Sequence, residues 1–451
     1  MKYANINSLI GSRAAEGFFP VHYSENEISK IHLNGTYKSE QNTPARRTLD
    51  IDGSILQKGV LLVGEARIGK TTVIKEMIAQ TIAGKRPSDK LVILDVKREY
   101  WDAFGSCKGS IAIGPKTKMR WNIFRDILAF GNSKDSIEIY SGIVAEYMFA
   151  DQKSAKDPFF TNAARLFFQS VLIYFIRQAF EKNDDAELNN KSLMDFLKSL
   201  TNKKISDVLD NYRDFSYLKD LICDHEGECT SEQCRGVKSE LDVMLGRFFI
   251  GSFAKNGDFS VVELMKSKGG FNLFLLSDQS MNQMVDPILR YFLDMMFGTL
   301  GSPNTQPTGE ITFVLDEYAT LPHLNKMAQA LALLKYRCSF ISGLQSVQQV
   351  FTQYSESEAN TILAMHQTII LMRSDDKSVK TIADRLGNVT VEIEYTLPDG
   401  CIGSKIEERP AITQQEVNRF DNGDAVIKLP FTDAFRFHFD DYSINGISRG
   451  L

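Results

Sequence analysis

The chain has few cysteines, no surplus of positive charge and no uninterrupted apolar run of membrane-spanning length. Each shortage excludes a class of protein. Six cysteines scattered over 451 residues do not make the dense disulfide framework of a small secreted domain, so the expected compartment is a reducing cytoplasm. Lys and Arg total 52 against 57 Asp and Glu, a net charge of -5, which gives no global electrostatic reason to bind nucleic acid; any basic path for DNA must be local. The N-terminal residues 1–14 lack a basic region followed by a long apolar core, so no signal peptide is expected. The most apolar stretch, residues 159–180, is interrupted by Asn162, Arg165, Gln169 and Arg177, and reads as a buried core helix rather than a membrane anchor. What remains is a globular chain, 43% hydrophobic and 24% charged, long enough for two or three domains.

The stretch Leu61-Leu62-Val63-Gly64-Glu65-Ala66-Arg67-Ile68-Gly69-Lys70-Thr71-Thr72 organises the rest. An apolar strand enters a glycine-bracketed loop and leaves it with helical periodicity, the order of a phosphate-binding P-loop. Gly64 and Gly69 let the backbone curl so that amides from Glu65 to Thr72 converge on phosphate oxygens at a helix N-terminus. Lys70 is placed to reach the β- and γ-phosphates of ATP, and the Thr71 hydroxyl to hold Mg²⁺. A second apolar strand, Ile311-Thr312-Phe313-Val314-Leu315-Asp316-Glu317, ends in two acids. Asp316 suits Mg²⁺ through its water shell, and Glu317 suits a general base. The strand after it carries Gln345 at its end, where an amide senses the γ-phosphate or is simply a loop residue. Arg337 and Arg373 lie near strand ends, as trans-acting arginines from a neighbouring subunit or as surface ion pairs.

Between the two motifs the texture changes. Residues 137–246 have long amphipathic stretches with few prolines and little alternation, and are expected to form an inserted all-helical domain. The nucleotide-binding domain then comprises 49–136 and 247–451, an α/β fold with a mainly parallel central sheet, and 1–48 is an N-terminal segment of unassigned role that ends in a surface connection near 41–47. Leu91-Val92-Ile93-Leu94-Asp95 reads as a doubly buried parallel strand with Lys97, Arg98 and Glu99 at its carboxyl end. Two short β-like runs between Leu49 and Val63 are separated by Asp52-Gly53-Ser54. Cys223, His225, Cys229 and Cys234 form a CxHx₃Cx₄C pattern that matches no common zinc module; the alternatives are a metal site and an acidic loop with incidental cysteines.

The order of these motifs resembles the type IV coupling proteins, the hexameric ATPases that link relaxosomes or effectors to conjugation and type IV secretion machines. Four segments carry the resemblance beyond the P-loop: Leu94-Asp95-Val96-Lys97-Arg98-Glu99-Tyr100-Trp101; Asp157-Pro158-Phe159-Phe160 at the opening of a long helix; Leu315-Asp316-Glu317-Tyr318-Ala319-Thr320-Leu321-Pro322 with Gly343-Leu344-Gln345-Ser346-Val347-Gln348-Gln349; and Arg409-Pro410-Ala411-Ile412-Thr413-Gln414-Gln415-Glu416-Val417. It covers the chain from about residue 50 onward. Ile123 stands where the family usually has proline, Thr161 where tryptophan is common, and the transmembrane helices with which family members usually begin are not seen. The resemblance implies a RecA-like P-loop NTPase fold, ATP and Mg²⁺ as ligands, and sequence-independent binding of single- or double-stranded DNA. It also implies relaxase or effector proteins and the secretion machinery as partners, and a homo-hexamer, with a monomer as the DNA-free alternative. The expected location is the cytoplasm, with recruitment to the inner face of the membrane left to partners. Two other readings stay open: an ATP-dependent adaptor that chiefly binds protein, and a DNA pump of the wider FtsK and HerA superfamily serving repair or defence.

Overall fold

The computed structural model describes residues 3–10, 29–38, 44–150, 158–211, 216–223, 231–277, 282–303, 305–334, 336–396, 401–430 and 432–441. Its strands, in chain order, are β1 (Tyr3–Ile10), β2 (Ser29–Lys38), β3 (Pro44–Asp52), β4 (Val60–Val63), β5 (Lys90–Asp95), β6 (Ser110–Ile113), β7 (Phe271–Leu276), β8 (Ile311–Asp316), β9 (Cys338–Leu344), β10 (Thr368–Leu371), β11 (Asn388–Thr396), β12 (Ile402–Pro410), β13 (Asp424–Lys428) and β14 (Phe435–Phe439). An 11-stranded sheet runs β3-β2-β14-β13-β10-β4-β9-β8-β5-β7-β6. From β10 to β6 every neighbouring pair is parallel. The strands from β13 to β3 extend it in antiparallel fashion. A separate sheet joins β1, β11 and β12.

The strand sequences explain why this sheet is covered on both faces. Successive side chains of a strand point to opposite sides, and here both sides are apolar: Leu61 and Val63 of β4, with Val92 and Leu94 of β5, enter one core, while Val60, Leu62, Leu91 and Ile93 enter the other. Continuous apolar runs are what a doubly covered parallel sheet requires. On one face the helix Lys70–Gly84 packs through Val73, Ile74, Met77 and Ile78. On the other the core runs without a break into the helices between Lys134 and Phe248.

The helix Pro158–Lys182 is central to that second core. It is, among the described residues, the one helix long and apolar enough to cross a membrane by length and composition, and 56% of its most apolar window is buried inside the protein. Proline at its first position is compatible with helix geometry, because that amide has no intrahelical partner. Thr161 donates from its hydroxyl to Glu240 at 3.3 Å, which ties this helix to the helix Glu232–Phe248.

Two local expectations are corrected, and a segment of unassigned role gains a place. Residues 44–47, read as part of a surface connection, begin β3. Asp52-Gly53-Ser54 is not a plain turn: Asp52 accepts a hydrogen bond from the Ile55 amide and caps a short helix, Gly53–Gln57, as a small acid at an N-cap does. The N-terminal segment also supplies a strand of the main sheet, β2, which pairs with β14 and β3. Of the four residues in the cysteine-histidine pattern, His225 and Cys229 lie outside the described residues. Cys234 is buried near the start of its helix, and no metal-binding cluster is present among the described residues.

Candidate active site

The carboxyl ends of β4, β9, β8 and β5 bring the two motifs together. Asp316 ends β8, and β9 lies between it and the P-loop strand β4. Lys70 opens the helix that follows the loop, and Gly69 caps it in a left-handed conformation (φ +104°) that glycine adopts without steric penalty. The Lys70 ammonium stands 3.7 Å from Asp316 Oδ1. Both side chains are buried, yet neither the Lys70 Nζ nor Asp316 Oδ1 makes a hydrogen bond. Buried polar atoms left in that state are costly unless a ligand satisfies them. A phosphate oxygen at Lys70 and a hydrated divalent cation at Asp316 are such ligands, so the donor set fits the group that the motifs imply.

The loop is fixed to its neighbours at three points. The Gly64 amide donates to Leu344, the Glu65 amide to Arg373, and the Gly423 amide to the Ile68 carbonyl. Gly64 and Glu65 therefore spend their amides on anchorage, leaving the turn from Ala66 to Thr72 to face the cleft. Arg67 is left-handed at φ +68°. Glu65, Ala66, Arg67, Gly69, Lys70, Thr71 and Thr72 line a cleft of about 690 Å³, which Asn422, Gly423, His438, Phe439, Asp440 and Asp441 also line.

The acids are held differently. Asp316 Oδ2 accepts from the Tyr100 hydroxyl at 2.7 Å. Burial pushes the Asp316 carboxyl up, against the pull of the Lys70 charge and the Tyr100 hydrogen bond. Glu317 is left-handed (φ +56°) and its Oε1 accepts from both Lys97 Nζ at 2.5 Å and Gln345 Nε2 at 2.6 Å. Burial raises the Glu317 carboxyl, but the bonds from Lys97 and Gln345 outweigh it and leave the group below its ordinary range. Asp95, pushed up to about 6 by burial, accepts from the Tyr100 and Trp101 amides at 3.1 and 2.7 Å and so holds the turn that carries Lys97.

Lys70, Thr71, Asp316, Glu317 and Gln345 thus converge. Each arginine has partners within the chain. Arg337 precedes the first residue of β9, at the strand end away from the P-loop, and donates to the carbonyls of Leu300 and Thr305, each at 3.1 Å. Arg373 follows β10 closely enough to reach the loop, where it pairs with Glu65 and donates to the Phe420 carbonyl at 3.2 Å. Three contributors had no assigned role in the sequence: Lys97, placed only at the carboxyl edge of its strand, and Tyr100 and Gly343. Tyr100 and Lys97 meet the acids only through strand pairing of β5 with β8. Gly343 had a legible signal, a glycine inside an apolar strand: a Cβ there would lie 2.0 Å from Asp316 Oδ1.

A phosphate cradle at the end of one parallel strand, and an acid-ended strand two places away with a glutamine-ended strand between them, define a P-loop nucleotide-binding α/β protein. The family model for the Type IV secretion-system coupling protein DNA-binding domain matches residues 48–438, and the chain belongs to that family. Among solved structures, the bacterial conjugative coupling protein TrwBdeltaN70 is similar with a TM-score of 0.72 at 16% identity, over 98% of this chain and 95% of that one. The plasmid coupling protein TrwB in complex with ADP and Mg²⁺ gives 0.69 at 16% identity, over 98% and 96%. VirB4 of Thermoanaerobacter pseudethanolicus gives 0.54 at 13% identity, over 93% and 98%. At these identities the likeness is one of fold. Comparison with curated proteins finds no match.

Proposed function

We propose that this chain is an ATP-hydrolysing coupling protein that recruits or moves DNA, with a relaxase or effector, to a type IV secretion or conjugation machine. The observation that carries the reading is the buried Lys70–Asp316 pair at 3.7 Å, with neither facing atom hydrogen-bonded, inside a chain of the coupling-protein family. ATP is the substrate of the cleft: the turn from Ala66 to Thr72 receives its phosphates and Lys70 neutralises their charge. Thr71 and Asp316 would hold Mg²⁺, which supplies further neutralisation of the phosphates when bound. Glu317 takes the proton of the attacking water and Gln345 orients that water. The structure of TrwB with ADP and Mg²⁺ supports ATP and Mg²⁺ as the ligands here.

DNA is held through phosphate contacts on a local basic path, so its binding is independent of base sequence. The active assembly is a homo-oligomer, a hexamer, with Arg373, the arginine nearer the cleft, the better placed to face a neighbouring subunit. The experiment is turnover with no DNA, single-stranded DNA and double-stranded DNA, read beside oligomer mass in each condition. The reading expects DNA to raise both. DNA-independent turnover coupled to tight binding of a relaxase would instead favour the adaptor.

A further inference from the structure

Glu317 is the general base of the reading above, yet the side chains around it weaken it in that role. Its side chain is 9% exposed, and its Oε1 already accepts two hydrogen bonds, from Lys97 at 2.5 Å and from Gln345 at 2.6 Å. The two donors come from opposite sides: Lys97 from the end of β5 and Gln345 from the end of β9, the two strands that flank β8. Both bonds fall on one oxygen, and the Lys97 charge favours the ionised carboxylate, which makes it a weaker base for a water that reaches the other oxygen. Gln345 carries no charge and suits a water-orienting role. Lys97 brings a full charge, and charge-assisted bonds of this length are the strong ones.

The backbone on either side of this contact is also constrained. Arg98, next to Lys97, and Glu317 itself are both left-handed without being glycine (φ +63° and +56°), a conformation that non-glycine residues keep only where the surroundings hold them in it. Asp95 anchors the first turn through the amides of Tyr100 and Trp101. The Glu317 amide donates to Gly343 at 2.9 Å, and its carbonyl accepts from the Thr320 amide. Lys97 is about one-third exposed, at 36%, and it lines both the nucleotide cleft and the small cleft that holds Asp95, Tyr100 and Asp316. The other charged groups around it are Glu99, which pairs with Lys75 at 3.7 Å, and Asp316, already facing Lys70.

We propose that Lys97 is a positioning residue that latches Glu317 in a resting state, and that it exchanges the glutamate for a nucleotide phosphate, so that occupancy of the cleft frees the base. This rests on the assignment of the cleft to ATP. A lysine on a flexible stem suits such an exchange, since its ammonium is a point charge that any anion satisfies.

The test is a double-mutant cycle between Lys97→Met and Glu317→Gln, read as thermal midpoints of the nucleotide-free protein and again with Mg²⁺ and a non-hydrolysable ATP analogue. The latch predicts strong non-additivity without nucleotide, with Glu317→Gln shifting the midpoint less than half as far in the Lys97→Met background, restored coupling with Lys97→Arg, and additivity once the analogue is bound. It also predicts that Lys97→Met raises DNA-free kcat at least about threefold while raising KM for ATP, because the phosphate loses one cation. Additive midpoints in the nucleotide-free protein, or a lower kcat in Lys97→Met, overturn the latch. Failure of the ATP assignment itself has a different signature: no hydrolysis that depends on Lys70 in the unmutated chain, whatever the cycle shows.

Discussion

Gly343 is the residue whose absence of a side chain the site depends on most. A Cβ there would come within 2.0 Å of Asp316 Oδ1 and 3.2 Å of Ile74 Cδ1, so Gly343→Ala must push the acid or the P-loop helix away. Displacing a catalytic group by about 1 Å costs roughly a hundredfold in rate, and kcat/KM of Gly343→Ala is expected to fall by that order while its circular dichroism stays native. A fall of less than about threefold would show that the acid has room to spare. His366 sets a second prediction. It is fully buried, with Nε2 against the Ser342 hydroxyl and Nδ1 against the Ile362 carbonyl, each at 2.8 Å. Burial pushes its pKa down to about 4 from 6.5. Between those values the unfolded chain binds a proton that the folded chain refuses, so stability is full above pH 6.5 and falls as pH drops toward 4, by ~3 kcal/mol over the whole step. Asp95, Asp126 and Asp286, each pushed up to about 6 by burial, act in the opposite sense at pH 4–6. The measurement is therefore a difference: the loss of thermal midpoint from pH 7 to pH 5 should be smaller in His366→Gln than in the parent, and an equal loss would remove His366 from the account.

Among elements, the packing of three helices beside the sheet depends on Asp126. Fully buried, it accepts from Trp121 Nε1 at 2.7 Å, the Ser260 hydroxyl at 2.6 Å, the Val262 amide at 3.3 Å and the Tyr291 hydroxyl at 3.3 Å, tying the helix Ile123–Leu128 to the helices Val261–Lys266 and Asn282–Gly301. Asp126→Ala would leave several buried donors without a partner, at about 1–3 kcal/mol each. Chemical denaturation should show about 3 kcal/mol or more of lost stability; a loss below 1 kcal/mol would mean that water replaces the carboxylate. Nearby, the departure at Ile123 has a physical reason. Its amide donates to Asn190 Oδ1 at 2.9 Å, and Asn190 Nδ2 donates to the carbonyls of Trp121 and Phe253. Proline fits a first helical position well but would forfeit that bond.

These elements also show what could be read from the chain alone. The P-loop and the acid pair were legible because each is a local pattern at the end of an apolar strand, and the two together are more specific than an acid-ended strand alone. The partners of those residues were not. Lys97 and Glu317 are 220 positions apart, and their contact follows from β5 lying beside β8, which a sequence of buried strands leaves open. The wall of the cleft at Asn422 and His438 comes from the β13–β14 hairpin, which has no motif of its own. The helix Gly53–Gln57 was hidden because Asp52, the N-cap that starts it, is also a common turn residue.

For the whole molecule, the net charge of -5 constrains how DNA is met. A protein without global positive charge has to bind a polyanion through a local basic path, and phosphate contacts release counterions. DNA-stimulated turnover should therefore fall steeply between about 50 and 200 mM salt, while DNA-free turnover changes little and the base sequence of the DNA is immaterial. Stimulation that survives 200 mM salt, or that needs one sequence, would contradict phosphate-based binding.

The central claim is that Lys70 and Asp316, brought together across β9, form one site for a triphosphate and its magnesium. Calorimetric titration of a non-hydrolysable ATP analogue, with and without Mg²⁺, into the parent chain and Lys70→Ala tests it most directly. The parent should bind in a Mg²⁺-dependent manner and Lys70→Ala should lose at least about 3 kcal/mol, on the order of 150-fold in Kd. Equal affinities in the two proteins, or binding indifferent to Mg²⁺, would contradict it.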